Sequence, residues 1–250
     1  MSFDLSGKVV FVTGATSGLG RQFALALADA GAAVAVTGRR RERLDALVAE
    51  IEGKGGRAHA VALDVTDLAA HAGAIAEAEA ALGPLWALVN NSGVSNTRGV
   101  LDQTAEDYDF IMNTNVKAAY FLSQAAARGM IERGGGRIVN IASIGAFKPL
   151  GYTSIYCMSK AAVAHMTRCM ALEWARHNVN VNAICPGYIR TELNDEFFSS
   201  PAGEKMISRL PRRRLGETTD LNGLLLLLVS DAESRFITGS LMTADDGQSL

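Results

Sequence analysis

With 250 residues, 48% of them hydrophobic, and a formal net charge of −2, the chain can bury a large core without metal or disulfide support. The near-balanced charge argues against a nucleic-acid partner, which needs a basic excess or stripe. Its longest apolar run, Leu224–Val229, falls far short of the roughly 18 residues of a membrane span, so no membrane association is expected.

Three cysteines, Cys157, Cys169 and Cys185, show no CxxC spacing and leave an odd one over. That pattern suits a reducing, cytoplasmic setting, with all three expected in the core. The opening MSFDLSGKVVFVTG lacks the basic stretch and long apolar segment of a secretory leader, so the chain reads as mature.

Along the chain, short runs rich in Val, Ile and Ala alternate with stretches carrying apolar residues at helical spacing. The run Val9–Thr13 leads to a helix over Arg21–Ala30, Ala33–Thr37 to Arg40–Lys54, and Ala58–Ala62 to Ala69–Leu82. Then Ala87–Asn90 leads to a long helix Ala105–Arg133, and Arg137–Ile141 to Ser154–Ala175. After Asn180–Ile184 come an irregular stretch Gly187–Gly216, a helix Leu221–Ser230 and a last strand Leu241–Ala244. Most of the strands are apolar throughout, as strands covered on both faces are. The expectation is an α/β fold: a single domain over residues 1–250, Rossmann-type, with a doubly wound parallel sheet of about seven strands and helices on both faces. Residues 187–216, with Phe197, Phe198 and Pro201, are expected to form a substrate lid, because long loops in compact domains are usually functional or disordered.

In such sheets ligands bind beyond the carboxyl ends of the strands. There the first strand runs into Thr13-Gly14-Ala15-Thr16-Ser17-Gly18-Leu19-Gly20. The glycines allow a tight turn and close backbone approach, and the following helix start offers free N–H groups to a pyrophosphate. The spacing is GxxxGxG, weak alone; its position between strand and helix strengthens it. Candidate cofactor contacts are Gly14, Thr16, Ser17, Gly18, Leu19 and Gly20. The second strand ends in Gly38-Arg39-Arg40-Arg41 with no acid for a ribose 2′-hydroxyl. Arg39 is the candidate for an NADP 2′-phosphate, with Arg40 on the adenine or the phosphate, so NADP(H) is preferred and NAD(H) possible. The same arginines also read as the start of a solvated helix.

Tyr156 and Lys160, four apart, share a helix face, so an ammonium there could reach the phenol and favour its ionised form. By spacing alone such a pair is common on helix surfaces. Ser143, just past the strand Arg137–Ile141, could hydrogen-bond a substrate oxygen, and Asn115 could hold a water relaying protons to Lys160.

TGATSGLG at Thr13–Gly20, Asp64-Val65, NNSG at Asn90–Gly93, Asn115, Ser143, YCMSK at Tyr156–Lys160 and PGYIRTE at Pro186–Glu192, in this order, resemble the short-chain dehydrogenase/reductase family over essentially the whole chain. One departure is Ser92, where the family has alanine. The resemblance implies catalytic Asn115, Ser143, Tyr156 and Lys160, with Ser143 and Tyr156 polarising a carbonyl and Tyr156 donating the proton. It implies further cofactor contacts from Asp64 and Val65 at the adenine, from Asn90 and Asn91, from Tyr156 and Lys160, and from Pro186, Gly187, Ile189 and Thr191. It also implies a homotetramer built on the long helices and the last strand.

By the same resemblance, Ser95, Ile144, Phe147, Leu150, Tyr152, Tyr188, Leu193, Phe197 and Phe198 lie near the substrate. This largely apolar set favours an apolar or cyclic ketone or a 3-oxoacyl group, although such residues can equally be the lid's own packing. Among similar chains are 3-oxoacyl-carrier-protein reductases, whose carrier-binding positions fall here on Arg128 and His177. Arg209, Arg212, Arg213 and Arg214 could bind a coenzyme A or phosphopantetheine phosphate, or form a solvated loop. His59, His71, His165 and His177 have no ligand spacing, so no metal is expected. The expected activity is that of a carbonyl reductase or alcohol dehydrogenase. The alternatives are an NAD-dependent sugar or polyol dehydrogenase and a non-catalytic dinucleotide sensor.

Overall fold

The computed structural model describes residues 3–192 and 194–250. Seven parallel strands form one sheet: β1 Val9–Val12, β2 Ala33–Gly38, β3 Arg57–Ala62, β4 Leu85–Asn90, β5 Gly136–Ile141, β6 Val179–Pro186 and β7 Leu241–Ala244. Their order is β3-β2-β1-β4-β5-β6-β7. The helices are α1 Gly18–Asp29, α2 Arg41–Gly53, α3 His71–Leu82, α4 Ala105–Met112, α5 Ala118–Glu132, α6 Ser154–Trp174, α7 Asp195–Phe198, α8 Pro201–Ile207 and α9 Asn222–Val229. The fold is thus the expected doubly wound, Rossmann-type one.

The first strand shows why these runs are apolar without alternation. Val9 and Phe11 enter one buried layer with α3, α5 and α6, whereas Val10 and Val12 enter the other with α1, α2 and α9. Neither face of the strand meets water, so neither tolerates polar residues. From β1 the chain steps to β2 on one side and later returns to β4 on the other. The connections leaving β1 and β4 therefore diverge and leave a crevice at the strand ends, where Thr13 and Asn91 emerge.

Two segments depart from expectation. The predicted helix Ala105–Arg133 is interrupted by a π-helical turn, Asn113–Lys117, with helical dihedrals at both junctions. Apolar spacing does not register such a one-residue widening, and π-turns concentrate at functional sites. The stretch Gly187–Gly216 is not irregular throughout but contains α7 and α8. Ser200 accepts from the Gly203 N–H and Pro201 occupies the first turn of α8, a start signal that the sequence carries. A parallel bridge between Ile189 and Gly216 closes the base of this segment. Of the three cysteines only Cys185 is buried; Cys157 is half-buried and Cys169, on the outer side of α6, is exposed. Among the described residues no helix is long and apolar enough to cross a membrane.

Candidate active site

At the carboxyl end of β1 the backbone turns through Gly14 at φ 67° and Gly18 at φ 54°, conformations that favour glycine. A methyl group at Gly20 would collide with the Gly14 carbonyl, so the third glycine lets α1 pack directly against the turn. Ser17 starts α1 without capping it through its side chain. The first-turn amides of Gly18, Leu19 and Gly20 have no intrahelical acceptors and face the crevice at the positive end of the helix dipole. This cradle fits a pyrophosphate. Thr191 closes it from above, with its Cγ2 3.5 Å from where a Gly18 side chain would begin.

The arginines after β2 reach the same rim. Arg40 donates to Thr16 Oγ1 at 2.6 Å and Ser17 Oγ at 3.1 Å, folding over the turn. Arg39 is largely exposed and lies 3.9 Å from Asp64 Oδ2. Asp64 Oδ1 accepts from the Thr66 N–H and hydroxyl at 2.9 and 2.7 Å. These bonds, the backbone one foremost, hold its carboxyl below the usual carboxylate range, with Arg39 a lesser contributor. Val65, beside it, is buried.

Of the two asparagines expected at the cofactor, Asn90 ends β4 and Asn91 follows it. Asn90 does not face the crevice. Its side chain donates to Ser123 Oγ and Asn140 Oδ1, both at 2.8 Å, in a buried polar cluster beneath α5 and α6. Successive side chains alternate at a strand end, and it is Asn91 that turns toward β1. The Asn91 side chain donates to the Thr13 carbonyl at 2.9 Å, and the Asn91 and Ser92 N–H groups both bond Thr13 Oγ1. Asn91 thereby fastens the glycine turn, and the Ser92 hydroxyl packs beside Gly14. Past β6, Gly187 bonds the Ala244 carbonyl, and Asn194 caps the turn by accepting from the Thr191 N–H and donating to Ile189 O.

The catalytic candidates converge on one spot. Ser143 starts a short helical turn, its Oγ accepting from the Gly145 N–H at 3.0 Å. Tyr156 lies in the first turn of α6, and its phenol is raised above its ordinary pKa by burial, with the Ser143 hydroxyl opposing the rise. Lys160 is buried, donates to Ile141 O at 2.8 Å, and has its Nζ 5.6 Å from the Tyr156 ring centroid. Burial lowers its pKa to about 8. The direction set by burial is thus upward, where the Tyr156–Lys160 spacing implied a downward one, and Lys160 is itself desolvated and donates to a carbonyl.

Asn115 sits in the π-turn, buried. Its Nδ2 donates to Val94 O and Ser159 Oγ, both at 2.9 Å, and its Oδ1 accepts from the Val94 N–H at 2.8 Å. Both side-chain donors are thus engaged, by Val94 and Ser159 and not by Lys160. The two border a common space over Gly93, where a methyl group would lie 3.4 Å from both Asn115 Oδ1 and Lys160 Nζ.

Beside this spot opens a cleft of about 550 Å³ lined by Ile144, Leu150 and Tyr188 from the expected substrate set. Phe198 is buried, stacked edge-on against Tyr188 at 5.9 Å and Phe197 at 5.2 Å, so it serves the packing of the loop. Phe147, Tyr152, Ser95 and Phe197 are exposed outside the cleft wall, and Leu193 lies outside the described residues. Sequence reasoning missed Lys148, Lys205 and Gln248, which line the cleft together with Arg209. Gln248 is brought by the C-terminal segment and accepts from the Tyr188 N–H at 2.7 Å. Of the carrier-binding candidates, Arg128 is exposed, while His177 Nε2 accepts from Arg176 Nε. Among the described residues no group of three or more His, Cys, Asp or Glu is placed to hold a metal ion.

A glycine-turn cradle at the sheet's switch point, with a serine, a tyrosine and a buried lysine across the crevice, is the arrangement of a dinucleotide-dependent oxidoreductase. Residues 8–202 match the family profile described as short chain dehydrogenase, and the chain belongs to the short-chain dehydrogenase/reductase family. A gluconate 5-dehydrogenase of Gluconobacter oxydans is 36% identical over 246 residues, covering 98% of this chain and 96% of that protein. A 3-oxoacyl-[acyl-carrier-protein] reductase of Thermotoga maritima is 35% identical over 244 residues, 97% of this chain and 98% of that one. The crystal structure of a gluconate 5-dehydrogenase from Burkholderia cenocepacia in complex with NADP and tartrate superposes with a TM-score of 0.94. It is 33% identical and covers 99% of this chain and 97% of that chain. The chain is accordingly an oxidoreductase acting on CH–OH groups.

Proposed function

We propose that the protein interconverts a ketone and a secondary alcohol with NADP(H) as preferred cofactor, using Ser143, Tyr156, Lys160 and Asn115. The observation that carries this reading is the convergence of Ser143, Tyr156 and Lys160 across the crevice from the free amides of α1. The α1 amides with Thr16, Ser17 and Thr191 bind the pyrophosphate; Arg39 and Arg40 bind the 2′-phosphate; Asp64 and Val65 receive the adenine. Asn91 holds the turn, and Pro186, Gly187 and Ile189 border the nicotinamide end. The bound cofactor supplies the hydride.

In reduction, Ser143 Oγ and the Tyr156 hydroxyl donate to the substrate carbonyl oxygen. Burial keeps the phenol protonated at neutral pH, the state required of a proton donor. Tyr156 then passes its proton to the forming alkoxide. Lys160 grips the ribose and, through a water in the space over Gly93 bordered by Asn115, returns a proton to the phenol. The reverse sequence oxidises an alcohol. Residues 187–216, built on the Ile189–Gly216 bridge, act as the lid.

The relatives act on sugar acids and on 3-oxoacyl groups, by their names, and those substrates are candidates here beside apolar ketones. The test is oxidation of NADPH and NADH by purified protein against cyclic ketones, β-ketoesters, acetoacetyl-coenzyme A and keto-sugars. NADPH turnover on any of them supports the reading. Binding of NADPH without turnover on any substrate, in either direction, counts against it.

A further inference from the structure

The cleft beside Ser143 and Tyr156 has an uneven charge. Lys148, Lys205 and Arg209 all line it, and no Asp or Glu does. Arg190 pairs with Asp195, and both Arg212 and Arg214 pair with Asp246. Among the described residues Lys148, Lys205 and Arg209 make no ion pair; Lys148 Nζ instead donates to the Gln248 main-chain carbonyl at 2.9 Å. Gln248 in turn accepts from the Tyr188 N–H, so this basic wall is tied to a second residue that lines the cleft. Three cations with no acidic side chain among them share one concave surface, and clefts lined predominantly by one sign of charge concentrate ligands of the other.

We propose that Lys148, Lys205 and Arg209 bind an oxyanion, a carboxylate or a phosphate, that the substrate carries away from its reacting carbon. The proposal rests on the assignment of Ser143 and Tyr156 as the reacting end, since these cations share the cleft with Ile144, the chain neighbour of Ser143. Arg209 offers a fork matched to two oxygens, and the lysines act as point charges. All three side chains belong to exposed residues, so the attraction is screened and adds to affinity, not to the chemical step.

The test is calorimetric titration of the NADP⁺-saturated full-length protein with glutarate and, separately, with coenzyme A. Neutral glutaramide serves as control, and the comparison protein is the triple variant Lys148→Gln/Lys205→Gln/Arg209→Gln. At least one anion should bind the wild type, more tightly than glutaramide, with a dissociation constant about tenfold higher in the variant and rising with added salt. Binding of glutarate identifies a carboxylate substrate, and binding of coenzyme A alone a phosphate-bearing one. Binding of neither anion, or equal binding by the variant, overturns the proposal. Unchanged NADPH affinity of the variant shows that it is folded. The kinetic counterpart is turnover of levulinate against its methyl ester. Because the titration needs no turnover, failure of the hydride-transfer assignment and failure of the anion site are read separately.

Discussion

Lys160 and Tyr156 are pushed by burial in opposite directions, each toward its neutral form. For Lys160 the folded pKa is about 8 against an ordinary 10.5. From about pH 8 upward the unfolded chain therefore binds more protons at this site than the folded one, and stability rises with pH through that window. Cys185, raised from 9.0 to about 11, acts in reverse, because the unfolded thiol ionises first and stability falls as pH climbs above its ordinary value. Urea unfolding at pH 8 and 9 should thus show wild type gaining stability relative to Lys160→Met, and a parallel trend in both proteins would refute the buried-lysine assignment. At the rim, Arg40 bonds the turn and Arg39 faces Asp64. Alanine at either position should weaken NADPH by roughly tenfold or more while leaving NADH nearly unchanged, as expected for loss of a charge-assisted contact to one phosphate. Fluorescence titration with both cofactors checks this, and equal losses would move the 2′-phosphate elsewhere. These residue identities were legible in the sequence because the chemistry needs those types at those places. What was not legible was direction: Asn90 turns into the buried polar cluster and Asn91 toward β1 because a strand end alternates sides, and Lys160 is held by a carbonyl that no motif names.

The elements most informative about function are those where regular structure gives way. The π-turn at Asn113–Lys117 carries Asn115, which ties the loop at Val94 to Ser159 on α6. It thereby sets the spacing of Asn115 and Lys160 across Gly93. Gly93→Ala should fill the space between them, lowering kcat by about tenfold or more with NADPH affinity and thermal stability little changed; steady-state kinetics beside a cofactor titration measure both. A loss of cofactor affinity alone would contradict the proton-relay role. The strands were readable because most of them are apolar on both faces, and the helices because their apolar residues recur at helical spacing. The π-turn was hidden because apolar spacing tolerates one extra residue. The α8 start was present as Ser200-Pro201 but lay within a run that composition marks as a loop.

For the whole molecule, the parallel sheet and its two buried layers follow from strand patterning, whereas the order of the strands does not; together they gather the catalytic candidates around the carboxyl ends of the strands. The cationic side of the substrate cleft was not readable, since Lys148, Lys205 and Arg209 come from separated segments and only the fold brings them together. The surface also leaves Tyr108, Phe110, Tyr120 and Phe121 exposed on α4 and α5, more aromatic surface than scattered single residues would explain. We propose that further copies of the chain cover it in a homotetramer. Sedimentation should give a tetramer for wild type and a smaller species for Tyr120→Glu/Phe121→Glu, and a monomeric wild type would rule the assembly out.

The central claim, that Tyr156 transfers the proton in an NADP-dependent hydride exchange, is tested most directly by comparing wild type and Tyr156→Phe in NADPH oxidation with the best ketone of the panel. Removing the phenol proton should lower kcat by about 10²–10⁴ while the NADPH dissociation constant stays within about twofold, because the ring and the cradle remain. Turnover at the wild-type rate in Tyr156→Phe would contradict the mechanism.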